Sequence, residues 1–288
     1  MATKAKAKKT YEVIQFYGGQ VRVEKVPYGD YTRYRVEGEK SFLLSATRVT
    51  GTLDKSRFLI PWATGLVASH VRERVNAGKG PYSIDEIMLI VDEAARKPEE
   101  KKVAGGDTGT VIHKFCHDFA LAKMTGSATP TLDAIDESTE EGAKALNGIN
   151  AFLDWYNGNK VEFLAIEQPV YYHCLAAGDG LAGGRVVEYV GVMDALARVN
   201  GEVRVIDYKT SKGVYDDQRF QVAAYAKAIA SDPSQPYTPD GVSILNFNKE
   251  TGDLVAAHIP MEEVIHDYAA FVGLYIAASR CAELSKAK

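Results

Sequence analysis

Two acids and a lysine stand out by their spacing. Gly191-Val192-Met193-Asp194 precedes Val205-Ile206-Asp207-Tyr208-Lys209-Thr210. Asp207 and Lys209 are two positions apart, so on a strand both side chains leave the same face. Val205 and Ile206 mark that strand as a buried one, where charge is costly unless it is paired or bound to a metal. Asn200-Gly201 is a tight-turn signal between the two runs; it makes them antiparallel and sets Asp194 nearly opposite Asp207. Directly opposed positions hold their Cβ atoms about 4.5–5.5 Å apart. Carboxylates that close repel unless a cation lies between them, and oxygen ligands suit Mg2+ or Mn2+. Lys209 is then placed to orient an attacking water or to stabilise charge growing on a phosphate. Together these are the parts needed for metal-assisted phosphodiester hydrolysis. The structural alternative is a buried ion pair between Lys209 and one acid.

Other residues extend this set. His113, in Gly109-Thr110-Val111-Ile112-His113, lies near the start of an expected helix and is a candidate to complete the metal shell. His117 follows one turn later, but Lys114-Phe115-Cys116 between them lacks the Glu of the zinc-peptidase pattern, so His117 is read as a separate surface residue. Glu167 is an acid on the first core strand, either solvated or acting beside the metal. Gln221 and Tyr225 are four apart and share one face of the helix after the Asp207 strand, where they could hold a phosphate or the Lys209 side chain. Thr210, Ser211 and Lys212 make a polar turn suited to a phosphate backbone.

These residues need a scaffold. Residues 11–45 alternate as a β-meander, over Tyr11–Phe16, Gln20–Val26 and Tyr31–Val36, with Gly18-Gly19 and Pro27 to Asp30 as turns. Helical spacing covers 56–76, and 83–97 follows with Ser83 and Glu86 as a capping box and Pro98 as a stop. The charged run Glu99 to Lys102, ending in Gly105-Gly106, reads as a hinge. Asp107 or Thr108 then caps a helix over 109–124, and Ser138 with Glu141 caps another to Tyr156. Strands at 162–173, 187–199 and 203–210, a helix at 216–230, strands at 241–248 and 253–259 and a helix at 262–285 complete the order. The fold class is α/β, a central mixed sheet flanked by helices. Its expected divisions are a basic tail at 1–10, a substrate-handling layer of meander and helices at 11–104, and a core at 105–288.

Composition narrows the function classes. The 288 residues carry a net charge of -4, which argues against an all-basic surface but leaves room for a local basic groove. Cys116, Cys174 and Cys281 are far apart, which speaks against a disulfide framework, a zinc knuckle or a four-cysteine iron–sulfur cluster. No signal peptide and no apolar run near 18 residues stand out, so no membrane association and an intracellular, cytoplasmic location are expected.

The motifs, in order, resemble those of the PD-(D/E)xK nuclease superfamily and, within it, the RecB-like branch. That branch carries a GxxxH-type helix, a strand acid, a GxxD strand, a DxK strand and a QxxxY helix. Here they read Gly109 to His113, Glu167, Gly191 to Asp194, Asp207 to Lys209 and Gln221 to Tyr225. Leu44 to Thr47, with Leu53-Asp54-Lys55 and Trp62, resembles the lead-in of phage-encoded exonucleases of this branch. The resemblance implies a restriction-endonuclease-like core over about residues 107–259. It also implies metal bound by His113, Asp194, Asp207 and the Tyr208 carbonyl, with Lys209 catalytic, Glu167 accessory, and Gln221 and Tyr225 near the scissile phosphate. The implied activity is Mg2+- or Mn2+-dependent DNA exonuclease action in phage recombination or DNA processing. A single-strand annealing or other recombination protein is an expected partner, and an oligomer is compatible. Relatives with an iron–sulfur cluster carry four cysteines that this chain lacks. An endonuclease of the same fold and a non-catalytic binding module are the alternatives.

Overall fold

The computed structural model describes residues 11–29, 31–78, 80–173 and 186–286. The expected basic tail at 1–10, Asp30 of the expected turn and Cys174 lie outside the described residues.

Three antiparallel strands, β1 (Glu12–Phe16), β2 (Val21–Tyr28) and β3 (Tyr31–Val36), form the meander. Pro27 and Tyr28 extend β2 instead of turning. β1 pairs with β2 only as far as Lys25, so the missing N–H of Pro27 faces no β1 partner. Phe16 and Val23 pack on Tyr171, and the Tyr17 N–H donates to Asp232 at 3.1 Å. These contacts seat the meander on the rest of the chain.

The central sheet contains β4 (Leu44–Ser45), β5 (Val161–His173), β6 (Glu188–Val199), β7 (Glu202–Lys209), β8 (Gly241–Phe247) and β9 (Leu254–Pro260). Its order is β4-β6-β7-β8-β9, with β5 also paired to β6. β4 runs parallel to β6 and β7 parallel to β8, while the other neighbours are antiparallel. The sheet is therefore mixed, as expected. β5 covers one edge of β6 along its length. The other edge is shared: β4 takes Tyr189 and Val190, and β7 takes Ala195 to Val199. Gly191 to Asp194 lie in the fork between them.

Helices cover both faces. α1 (Ala46–Thr50), α5 (Asp216–Ser231) and α6 (Met261–Lys286) share one core with Val205 and Ile244; α3 (Ile84–Thr125) and α4 (Glu140–Gly158) share the other with Ile206 and Leu245. Adjacent apolar residues on β7 and β8 thus supply opposite cores, the pattern of a sheet buried on both sides. α2 (Ser56–Ala77) packs along α3 but buries no residue fully.

The expected breaks and cap within α3 and the expected cap of α4 fail. Pro98 does not end a helix and Gly105-Gly106 is not a hinge: α3 runs unbroken for 42 residues, with Asp107 and Thr108 inside it, across the expected 104/105 division. The Ser83–Glu86 capping box starts it as expected. Packing on α2 and α4, and the Lys249 ammonium on the Gly105 carbonyl at 2.6 Å, hold it where local propensity is poor. α4 is capped by Thr139, whose hydroxyl accepts from the Gly142 N–H at 3.0 Å; Ser138 instead donates to Asp136. Among the described residues no helix is long and apolar enough to cross a membrane.

The continuity of α3 is testable. A Cβ at Gly106 meets nothing within 4 Å. Gly106→Ala should therefore stabilise the protein by about 1 kcal/mol, the helix-propensity difference, and raise the melting temperature seen by circular dichroism. A lower melting temperature would mean that this point is not regular helix.

Candidate active site

The site is built at the fork. Extending the β6–β7 register sets Asp194 against Asp207, as the residue count predicts, but the ladder stops at Ala195 and Ile206. Asp194 instead turns its carboxylate into the gap, where Oδ2 accepts the Tyr208 N–H at 2.7 Å. Side-chain alternation reverses here as well. Met193 belongs to the α5-side core and Ala195 to the α3-side core, although a regular strand would keep both on one face. On β5, Glu167 lies between the pairs Ile166–Ala195 and Gln168–Met193, facing Asp194, and has φ +44°. Left-handed backbone is uncommon for a residue other than glycine and collects at functional sites.

Asp207 is 2% exposed and pairs through β8 with Ile244. Lys209 Nζ stands 2.6 Å from Asp207 Oδ2, so the two do share a face, and the ion pair named as the structural alternative is present. The ammonium approaches off the line of a hydrogen bond, and Oδ2 is left buried with ion contact alone. Burial, reinforced by the Asp207 charge, pushes the Asp194 carboxyl up to about 7 against the partial relief given by Lys209. The Asp194 side chain keeps 27% of its surface open, so the pit admits solvent. Burial acts to lower Lys209, but Asp207 and Asp194 outweigh it and its pKa is raised. The lysine is therefore a fixed cation.

His113 comes to the same pit from α3, with Nδ1 3.9 Å from Asp194 Oδ2. Burial first, then the Lys209 charge, lowers its pKa and favours the neutral ring, the form that ligates metals. Glu167 points outward, 65% exposed, 3.8 Å from His117 Nε2. His117 also contacts Asp118 at 2.9 Å, apart from the acid pair.

The motif glycines have steric reasons. A Cβ at Gly191 would lie 2.3 Å from the Tyr225 ring, and one at Gly109 would lie 2.8 Å from Thr210 Oγ1. Gly191 thus lets the buried Tyr225 ring lie against β6, and Gly109 lets α3 abut the turn after Lys209. Gln221 Nε2 donates to Tyr225 Oη at 2.6 Å and to Thr47 Oγ1 at 3.2 Å. Gln221 and Tyr225 therefore link α5 to α1 beside the fork rather than contacting Lys209. Sequence reasoning missed a second network. Ser211 Oγ donates to the Gly213 carbonyl at 2.7 Å and contacts Asn246 Oδ1 at 3.0 Å and Gln218 Nε2 at 3.2 Å. It pins the turn after Lys209 to β8. Its only sequence signal is Asn246 among Ile244, Leu245 and Phe247.

A divalent cation suits this chemistry: two facing carboxylates, one with a buried oxygen that no aligned donor satisfies, beside a neutral histidine. Asp194, Asp207, His113 and the Tyr208 carbonyl are the groups that would hold it. Among the described residues, no three His, Cys, Asp or Glu side chains are already gathered as a cage.

The mixed sheet and forked acid–lysine site define a restriction-endonuclease-like fold. The family model of the PD-(D/E)XK nuclease superfamily matches residues 90–270, well over half of the chain. The chain belongs to that superfamily, whose members generally use divalent metals such as Mg2+. No curated protein matches it. A solved structure described as the crystal structure of SSO0001 is similar at 17% identity and TM-score 0.27, over 45% of this chain and 57% of that one. The chain thus spans little more than half the length of that protein.

The acid pair yields a pH prediction for metal-free protein. A carboxyl raised from 3.8 to about 7 gives folding its full support below the unfolded value and withdraws it as pH rises through the folded one. Asp194→Asn should then raise the melting temperature at pH 8 in EDTA, with the gain shrinking toward pH 4. A pH-independent effect would contradict the strained carboxylate.

Proposed function

We propose that the protein is a metal-dependent DNA exonuclease, serving phage recombination or DNA processing. The observation that carries this reading is the buried Asp207, held between Asp194 and the Lys209 ammonium at the fork of β6 and β7. A bound divalent cation would supply Lewis-acid polarisation of the phosphate and an activated water. Lys209, fixed as a cation, donates to the phosphate or the attacking water and stabilises negative charge growing there. Asp194 and Asp207 hold the positive charge in place. The neutral His113 ring offers a lone pair at the edge of the pit. Glu167 stands at its mouth, where it can act on water but is too exposed to be a buried ligand. Gln221, Tyr225 and Thr47 keep α5 and α1 in register with the fork, and the Ser211–Asn246–Gln218 network keeps Lys209 at its height. The lead-in motifs support an end-directed activity, and DNA is the substrate the resemblance favours.

The test is cleavage of end-labelled linear duplex beside a closed circle, with Mg2+ or Mn2+ and with EDTA. Loss of linear DNA alone is expected, and the order of label release gives polarity. Cutting of the circle would favour an endonuclease instead. Asp207→Asn and Lys209→Met should each lower the rate by about 100-fold or more while circular dichroism is retained. Lys209→Ala is the poorer choice, because it leaves Asp207 buried beside Asp194 with neither a cation nor packing. Wild-type rates in Asp207→Asn would remove this site assignment.

A further inference from the structure

A cavity of about 700 Å³ opens directly beyond the Lys209 strand, lined by Trp62 of the lead-in and by the turn after Lys209. One face of α2 lines it with Pro61, Trp62, Gly65, Leu66 and Ser69, at the spacing of successive helical turns. The turn Thr210 to Lys212, which continues from Lys209, also lines it. Trp62 is 36% exposed, and a Cβ at Gly65 would meet nothing within 4 Å.

Charge and size indicate the occupant. Four lysines and three glutamates line the cavity. Lys144 is committed to Glu140 and Glu250, and Lys101 reaches Glu140 at 3.7 Å. Lys212 and Lys249 have no carboxylate partner among the described residues, and Lys249 donates only to the Gly105 carbonyl. Glu141 has no cationic partner among the described residues either, so the charge left over is two lysines against one glutamate, net positive, beside an aromatic ring. A space of this size takes a small-molecule-sized group such as one or two nucleotides. An indole stacks on a base face that no neighbouring base covers, so the ring favours unpaired nucleotides. An aromatic platform beside cations is how single strands are held without sequence preference.

We propose that this cavity is a binding subsite for one or two unpaired nucleotides of single-stranded DNA, next to the scissile phosphate, with Trp62 stacking on a base and Lys212 and Lys249 contacting the backbone. The proposal rests on the hydrolytic reading for the neighbouring phosphate. It adds that the substrate end is presented as a single strand, and that α2 is the element which grips it.

The chain has two tryptophans, and Trp155 is buried in the α3-side core, so quenching by a ligand reports on Trp62. Intact protein in EDTA is titrated with an oligo-dT twelve-mer and with a blunt duplex, and KM is measured separately with metal for single-stranded and duplex ends. Oligo-dT is expected to quench the fluorescence. Trp62→Ala should raise KM for the single-stranded end about tenfold, Trp62→Phe should retain most of the affinity, and Gly65→Leu should plug the cavity and weaken binding without unfolding. Cleavage without quenching, or KM values in Trp62→Ala and Gly65→Leu within twofold of wild type, would overturn the subsite and leave the hydrolytic reading intact. Quenching that Gly65→Leu abolishes, without cleavage of any DNA, would support the subsite and remove the hydrolytic reading.

Discussion

The structure turns on one electrostatic constraint: two carboxylates, Asp194 and Asp207, share a buried pit with a single ammonium, Lys209. Burying like charges together is unfavourable, and one lysine does not balance two acids. The protein meets part of the imbalance by pushing Asp194 toward its protonated form and part by donating the Tyr208 N–H to it. The remainder is an appetite for positive charge. That appetite makes the pit suitable for a divalent cation and, through it, for a phosphodiester.

The fork exists because β6 serves three strands. β5 holds one edge throughout, while β4 and β7 divide the other and leave Gly191 to Asp194 unpaired on that side. A regular ladder would have consumed the polar groups that the site needs. The reversal of alternation at Asp194 and the left-handed backbone at Glu167 are the local distortions that accompany this opening. Tyr225 fills the space above Gly191, and the Ser211 network anchors the far end of β7. The fork is thereby framed by Tyr225 on the β6 side and by the Ser211 network on the β7 side, while α2 and its cavity remain open beside it.

Much of this was legible in the chain. The two-residue step from Asp207 to Lys209 and the turn at Asn200-Gly201 carry their own geometry, because strand alternation and hairpin closure are local rules. Four of the five motifs lie on the elements expected for them; Gly109 to His113 lies on a helix, but in the interior of α3 and not near its start. The errors came where tertiary contacts override local propensity. Pro98 and Gly105-Gly106 are breakers by composition, yet α2, α4 and Lys249 hold α3 straight through them. Ser138 and Thr139 both suit a cap, and Asp136 claims Ser138, leaving Thr139 for α4. The two-residue β4 is too short to announce itself and matters only because β6 needs an edge partner. The reason for Gly191 could not be read without knowing which ring lies above it.

The account is tested most directly by calorimetric titration of Mn2+ into metal-free wild-type protein and into Asp194→Asn and Asp207→Asn. It predicts saturable binding in the wild type that weakens by at least tenfold in each variant, with protons released as Asp194 ionises at neutral pH. Binding of equal affinity in all three proteins, or none in the wild type, would contradict it.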